Sequence, residues 1–134
     1  MGKIGCMSTI RGNVLIVEDD RDCGQLISQA LTANGYGVRI VKSRDDAVDA
    51  LGRYLYSYII LDHAMPGMSV ETFLEHCRKV TSNIILVSAV VDPKKEAERL
   101  RLKSWLRKPF DTEELLEIMR GLSSGVQKAP EPPL

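Results

Sequence analysis

The chain has 134 residues, the length of one ordinary domain; 44% are apolar and 27% charged, enough to bury a core and remain soluble. Lys plus Arg is 18 and Asp plus Glu is 18, and this zero balance argues against a protein that coats nucleic acid, whose affinity rests on excess cations meeting phosphates. No apolar run approaches a membrane span, and the N-terminus MGKIGCMSTIRG lacks the apolar core of a secretion signal, so a cytoplasmic protein is expected. Cys6 stands where a lipidation signal on Gly2 requires Ser or Thr. Cys6, Cys23 and Cys77 have no CxxC spacing, and His63 and His76 complete no zinc pattern with them; they read as reduced thiols, Cys23 and Cys77 on apolar helical faces.

After a flexible N-terminal segment, residues 1–12, the run Val14 to Val17 reads as a buried strand that ends in three acids, Glu18, Asp19 and Asp20. From Asp22 the period changes: Cys23, Leu26, Ile27, Ala30 and Leu31 form one helical stripe, stopped by Gly35. Tyr36 to Val41 is a second strand. Ser43 caps a helix whose inward face is Ala47, Val48, Leu51 and Leu55. Tyr58 to Asp62 is a third strand, again ending in an acid, and Pro66-Gly67 marks a turn. Val70, Phe73, Leu74 and Cys77 make the next stripe, and Ile84 to Ala89 the fourth strand. Asp92-Pro93 opens a helix running to about Leu102. Ser104 to Leu106 is a short fifth strand. Asp111 caps a last helix with Leu115, Ile118, Met119 and Leu122 inward, and residues 123–134, SSGVQKAPEPPL, read as a flexible tail or linker.

Continuous apolar strands alternating with amphipathic helices call for a parallel sheet covered on both faces. For five βα units over residues 13–122, right-handed crossovers favour a single doubly wound α/β domain of flavodoxin-like strand order 2-1-3-4-5. Ligands of such sheets sit beyond the carboxyl ends of the strands. The first strand delivers Glu18, Asp19 and Asp20 there, the third Asp62, the fourth Ser88 and the fifth Lys108; Lys42 and Ser43 lie to the far side. Taken singly, each has a bland reading: Asp20 as a helix cap, Ser88 as a turn residue, Lys108 as a solvated charge. Taken together, clustered carboxylates repel unless a cation neutralises them, and an all-oxygen site without His or Cys suits Mg²⁺. A cation, an ammonium and a hydroxyl around one carboxylate form an anion site fit for a phosphoryl group carried on that carboxylate.

VLIVEDD, IILDHAMPGM, IILVSA and WLRKPF, in this order and spacing, resemble the receiver domain (CheY-like) of two-component response regulators over about Asn13 to Leu122. The resemblance implies that Asp62 is the phosphoacceptor and that Lys108 pairs with the phosphoryl group. It implies Mg²⁺ held by Asp19, Asp20, Asp62 and the backbone carbonyl of Ala64, with Asp20 the direct ligand and Asp19 acting mainly through water. Ser88 falls at the family's hydroxyl switch position and Trp105 at its aromatic one, and the Lys108–Pro109 bond is expected cis. The implied partners are a sensor histidine kinase or phosphotransfer protein. A homodimer or an effector domain would use the surface of the fourth helix, fifth strand and fifth helix. No direct nucleic-acid or membrane binding is expected, and no enzymatic activity beyond self-phosphorylation and self-dephosphorylation.

Three departures from the family carry consequences. Trp105 replaces a smaller Tyr or Phe, which makes an inward rotamer harder to reach. Arg101 and Leu102 replace a common Gly-Ala, predicting the loss of the left-handed stop of the fourth helix. Ala64 and Val90 offer no polar side chain to orient a hydrolytic water, predicting slow self-dephosphorylation. The alternative classes are a degenerate receiver acting as a constitutive binding module, and an aspartate-nucleophile phosphatase, which would need an acid/base where Ala64 stands.

Overall fold

The computed structural model describes residues 11–89 and 92–124. Gly2, Cys6, Val90 and most of the two terminal segments lie outside the described residues. The elements alternate without exception: β1 (Asn13–Val17), α1 (Arg21–Ala33), β2 (Gly37–Val41), α2 (Arg44–Arg53), β3 (Tyr58–Asp62), α3 (Val70–Arg78), β4 (Ile84–Ser88), α4 (Pro93–Arg99), β5 (Ser104–Arg107) and α5 (Thr112–Ser124). All strand pairings are parallel and the order is β2-β1-β3-β4-β5, as expected from the alternating pattern.

The pleat sorts the strand residues between two cores. Leu15, Val17, Ile59, Leu61 and Leu86 face α2, α3 and α4, meeting Ala47, Phe73, Leu74 and Ala97. Val14, Ile16, Ile60, Ile85 and Val87 face α1 and α5, meeting Ile27, Leu31, Leu115 and Met119. This two-sided burial explains why the central strands read as continuous apolar runs rather than alternating ones. Cys77 is fully buried and Cys23 half-buried, both as free thiols, and burial pushes them up to about 12 and about 11.

Three details differ from the sequence expectation. Leu26 is 57% exposed and Leu55 85% exposed, so neither belongs to a core: Leu26 lies at the outer edge of its stripe, and Leu55 falls beyond the end of α2 at Tyr54. The last helix continues to Ser124, past the expected boundary at Leu122. Helix α4 ends at Arg99, short of Leu102, yet it keeps a left-handed stop. Arg101 supplies it, with φ of 61°, while its N–H donates to the Glu98 carbonyl at 3.0 Å and the Leu102 N–H to the Ala97 carbonyl at 2.8 Å. Those two bonds satisfy the helix's last carbonyls, and they hold an arginine where glycine is usual.

Candidate functional site

Strands β1 and β3 are neighbours in register, Val17 opposite Leu61, so the residues that follow, Glu18 and Asp62, lie side by side at the carboxyl edge. Glu18 is held there because its N–H still donates to the Val41 carbonyl of β2, 3.0 Å away, extending the ladder one residue past the strand. Both carboxylates are buried, Glu18 at 3% and Asp62 at 6% exposure. Lys108 reaches them from the end of β5. Its backbone N–H donates to the Ser88 carbonyl at 2.9 Å, its bond to Pro109 is cis, and its Nζ donates to Glu18 Oε1 at 2.9 Å and to Asp62 Oδ2 at 3.1 Å.

Burial pushes Asp62 up to about 6, with the neighbouring Glu18 carboxyl adding to the shift and Lys108 opposing it. Burial also works to raise Glu18, but its hydrogen bonds with Asp62 and Lys108 and with the Asp20 N–H outweigh that and leave it below the usual carboxylate range. Burial works against the Lys108 ammonium, yet the bonds to Glu18 and Asp62 hold it above the ordinary lysine value. One ammonium therefore faces more carboxylate charge than it can balance.

Asp19 completes the group on the open side: Glu18, Asp19 and Asp62 each offer an oxygen within 4.8 Å of the others. Asp20 is not brought into this group. Its Oδ1 accepts the N–H groups of Asp22 at 3.0 Å and Cys23 at 3.3 Å, capping α1. The structure thus gathers Glu18 and Asp19 with Asp62, while Asp20 of the expected pair is turned to cap α1. The sequence placed Glu18 at this edge but gave it no role in holding a metal. The donor set fits a hard divalent cation: several carboxylate oxygens, no sulfur or imidazole in the group, and a charge deficit.

Ser88 is buried at the end of β4, one residue beyond the Asp62–Val87 register pair, at the same carboxyl edge of the sheet. Ala64 follows Asp62 closely, its N–H donating to Asp62 Oδ1 at 3.2 Å. Trp105 is 37% exposed and pairs with Leu86 in the sheet register, apart from the acidic group. Beside Lys108 runs a groove of about 510 Å³ lined by Cys23, Leu26, Ala89, Pro109 and Phe110.

A parallel five-stranded domain with acids from β1 and β3 and a lysine from β5 at its switch point defines a class of carboxylate-centred α/β domains. The comparisons narrow it. The family model described as "Response regulator receiver domain" matches residues 14–120, and the chain belongs to that family: it is the receiver domain of a two-component response regulator. It is 32% identical over 114 residues to the uncharacterized transcriptional regulatory protein YkoG of Bacillus subtilis, covering 82% of this chain and 50% of that protein. It is 31% identical over 115 residues to the response regulator ArlR of Staphylococcus aureus, covering 81% and 51%. The chain thus spans about half the length of these relatives. Among solved structures, the chemotaxis response regulator CheY4 of Vibrio cholerae superposes with a TM-score of 0.70 at 26% identity, covering 81% of this chain and 95% of that one. The Francisella response regulator 1452 receiver domain has the same fold, with a TM-score of 0.74 at 23% identity and 86% and 99% coverage. Among the described residues, no helix is long and apolar enough to cross a membrane.

Proposed function

We propose that this receiver works as a cytoplasmic phospho-switch in which Asp62 accepts a phosphoryl group. The observation that carries the reading is the placement of Lys108 Nζ, 3.1 Å from Asp62 and anchored by Glu18 at 2.9 Å. The donor is a phosphohistidine on a sensor histidine kinase or phosphotransfer protein, or a small acyl phosphate. An Asp62 carboxylate oxygen forms the new O–P bond as the donor's P–N or P–O bond breaks; a histidine leaving group takes a proton from solvent, and an acyl phosphate releases its carboxylate as the anion. Lys108 stays within reach of the incoming phosphoryl oxygens because Glu18 tethers it. Glu18, Asp19 and Asp62, with the Ala64 carbonyl that the family resemblance adds, are the groups that would hold Mg²⁺. When bound, the ion supplies positive charge to the carboxylates and to the transferring phosphoryl oxygens.

The new group brings a charge of about −2 to the pocket. The Ser88 hydroxyl then turns to donate to a phosphoryl oxygen, and Trp105 follows inward, reshaping the α4–β5–α5 face for a second copy of the chain or an effector domain. The apolar groove beside Lys108 offers the phosphodonor protein a place to dock. No substrate other than the donor is turned over.

Incubation with acetyl phosphate and Mg²⁺, read by intact mass and phosphate release, tests this. A single added phosphoryl group, absent with chelator, supports the switch. No modification supports a constitutive binding module instead, and continuous turnover of a phosphate ester supports a hydrolase.

A further inference from the structure

Arg44 is the first residue of α2, and its side chain is turned inward, leaving it 6% exposed. Three of its hydrogen bonds go to one segment, the loop between β3 and α3 that begins right after Asp62. Nη2 donates to the His63 carbonyl at 2.7 Å, Nη1 to the Met68 carbonyl at 2.9 Å, and the backbone N–H to the Pro66 carbonyl at 3.2 Å. The two ends and the middle of the loop are thereby tied to one residue. The fit is close: Gly67, with φ of 106°, lies so near the start of α2 that a Cβ there would meet Asp45 Oδ2 at 2.8 Å and Arg44 N at 3.3 Å.

Stability alone does not account for this arginine. A buried guanidinium costs desolvation, and among the described residues Arg44 Nε is buried without a hydrogen-bond partner. An apolar side chain of similar length would avoid that cost. What it could not do is hold two carbonyls 24 and 19 residues away in sequence. A planar fork of fixed geometry does so with one side chain.

We infer that Arg44 is a positioning residue for the phosphoacceptor loop: by clamping the carbonyls of His63, Pro66 and Met68 it fixes the segment containing Ala64 against the acidic group, and so sets cation affinity and the rate of phosphorylation at Asp62. The inference rests on the phospho-switch reading of the site. It places a determinant of that site on α2, outside the acids, lysine and hydroxyl that the motifs mark.

The test compares Arg44→Met, which keeps the length and loses the fork, with Arg44→Lys, which keeps the charge and at most one of the side-chain bonds. Thermal unfolding with chelator, Mg²⁺ titration by calorimetry and acetyl phosphate kinetics are measured for each and for the wild type. The expected result is Arg44→Met as stable as the wild type or nearly so, with Mg²⁺ affinity about tenfold weaker, the scale of losing a group that orients a metal ligand. Its phosphorylation slows in parallel, and Arg44→Lys falls between. A purely structural arginine would lower the unfolding temperature and leave Mg²⁺ affinity of the folded protein unchanged; that result overturns the inference. If the wild type takes up neither Mg²⁺ nor a phosphoryl group, the site reading fails first and the inference with it. If the wild type takes up both and Arg44→Met equals it, the inference alone fails.

Discussion

His63 Nε2 stands 2.8 Å from Glu96 Oε2, so the residue after Asp62 is tied directly to helix α4. Two bonds from Arg99 to the same carboxylate, at 3.0 and 2.6 Å, hold Glu96 down to about 2. That carboxylate only accepts, so the His63 Nε2 carries the proton in this contact. Arg99 also reaches Glu71 of α3 at 3.0 Å, which makes a continuous chain from the phosphoacceptor loop across two helices. Glu96→Ala is expected to cost about 1 kcal/mol, the ordinary worth of a partly exposed bonded pair. It should leave phosphorylation intact while weakening the change in hydrogen exchange along α4 on adding beryllofluoride. An unchanged α4 response in Glu96→Ala would show that the link carries no signal.

The raised value of Asp62 has a consequence for stability without metal. An aspartate that holds its proton up to about 6 when folded, against its ordinary value of 3.8, binds more protons in the native than in the unfolded state between those limits. Stability therefore falls as pH rises through that window and levels off above it. Asp62→Asn removes the effect and should be more stable than the wild type at pH 7 in chelator, with the gain fading below the window. Denaturant unfolding across the pH range checks this; a destabilised Asp62→Asn at neutral pH would contradict it.

Arg101 occupies the left-handed position that ends α4. A side chain there costs roughly 1–2 kcal/mol, partly offset because glycine orders more chain on folding. Arg101→Gly is expected to raise stability by about 0.5–1 kcal/mol, seen as a higher unfolding temperature. A lower temperature would mean that the Arg101 side chain makes compensating contacts.

The family resemblance makes positions 64 and 90 the ones whose polar side chains would orient a hydrolytic water, and Ala and Val offer none. The aspartyl phosphate is therefore expected to be long-lived with Mg²⁺ present and no phosphatase. Loss of label within seconds would contradict this, and Ala64→Asn should shorten the lifetime.

The fold was legible because each strand is a short apolar run bounded by turn or cap residues, and the alternation with helices admits few topologies. Asp62 and Ser88 could be placed at the carboxyl edge because each ends a strand, and Lys108 because it directly follows one. The role of Glu18 was not legible, because three consecutive acids look alike in sequence. The signal that separates them is the start of α1: Asp20 precedes it directly and is consumed as its cap, leaving Glu18, still bonded to β2, as the buried one. Arg44 was hidden for a related reason. A charged residue just after the Ser43 cap reads as solvent-facing, and only the return of the β3–α3 loop over α2 makes it interior. Leu26 and Leu55 were misplaced because periodicity counts apolar residues without locating the edge of the buried face or the end of the helix.

Which acids hold the cation is decided by Mg²⁺ affinity in three variants. Glu18→Gln and Asp19→Asn are predicted to weaken binding about tenfold or more, while Asp20→Asn, whose amide caps a helix as well as a carboxylate does, binds as the wild type. Loss of binding in Asp20→Asn with normal binding in Glu18→Gln would contradict the account.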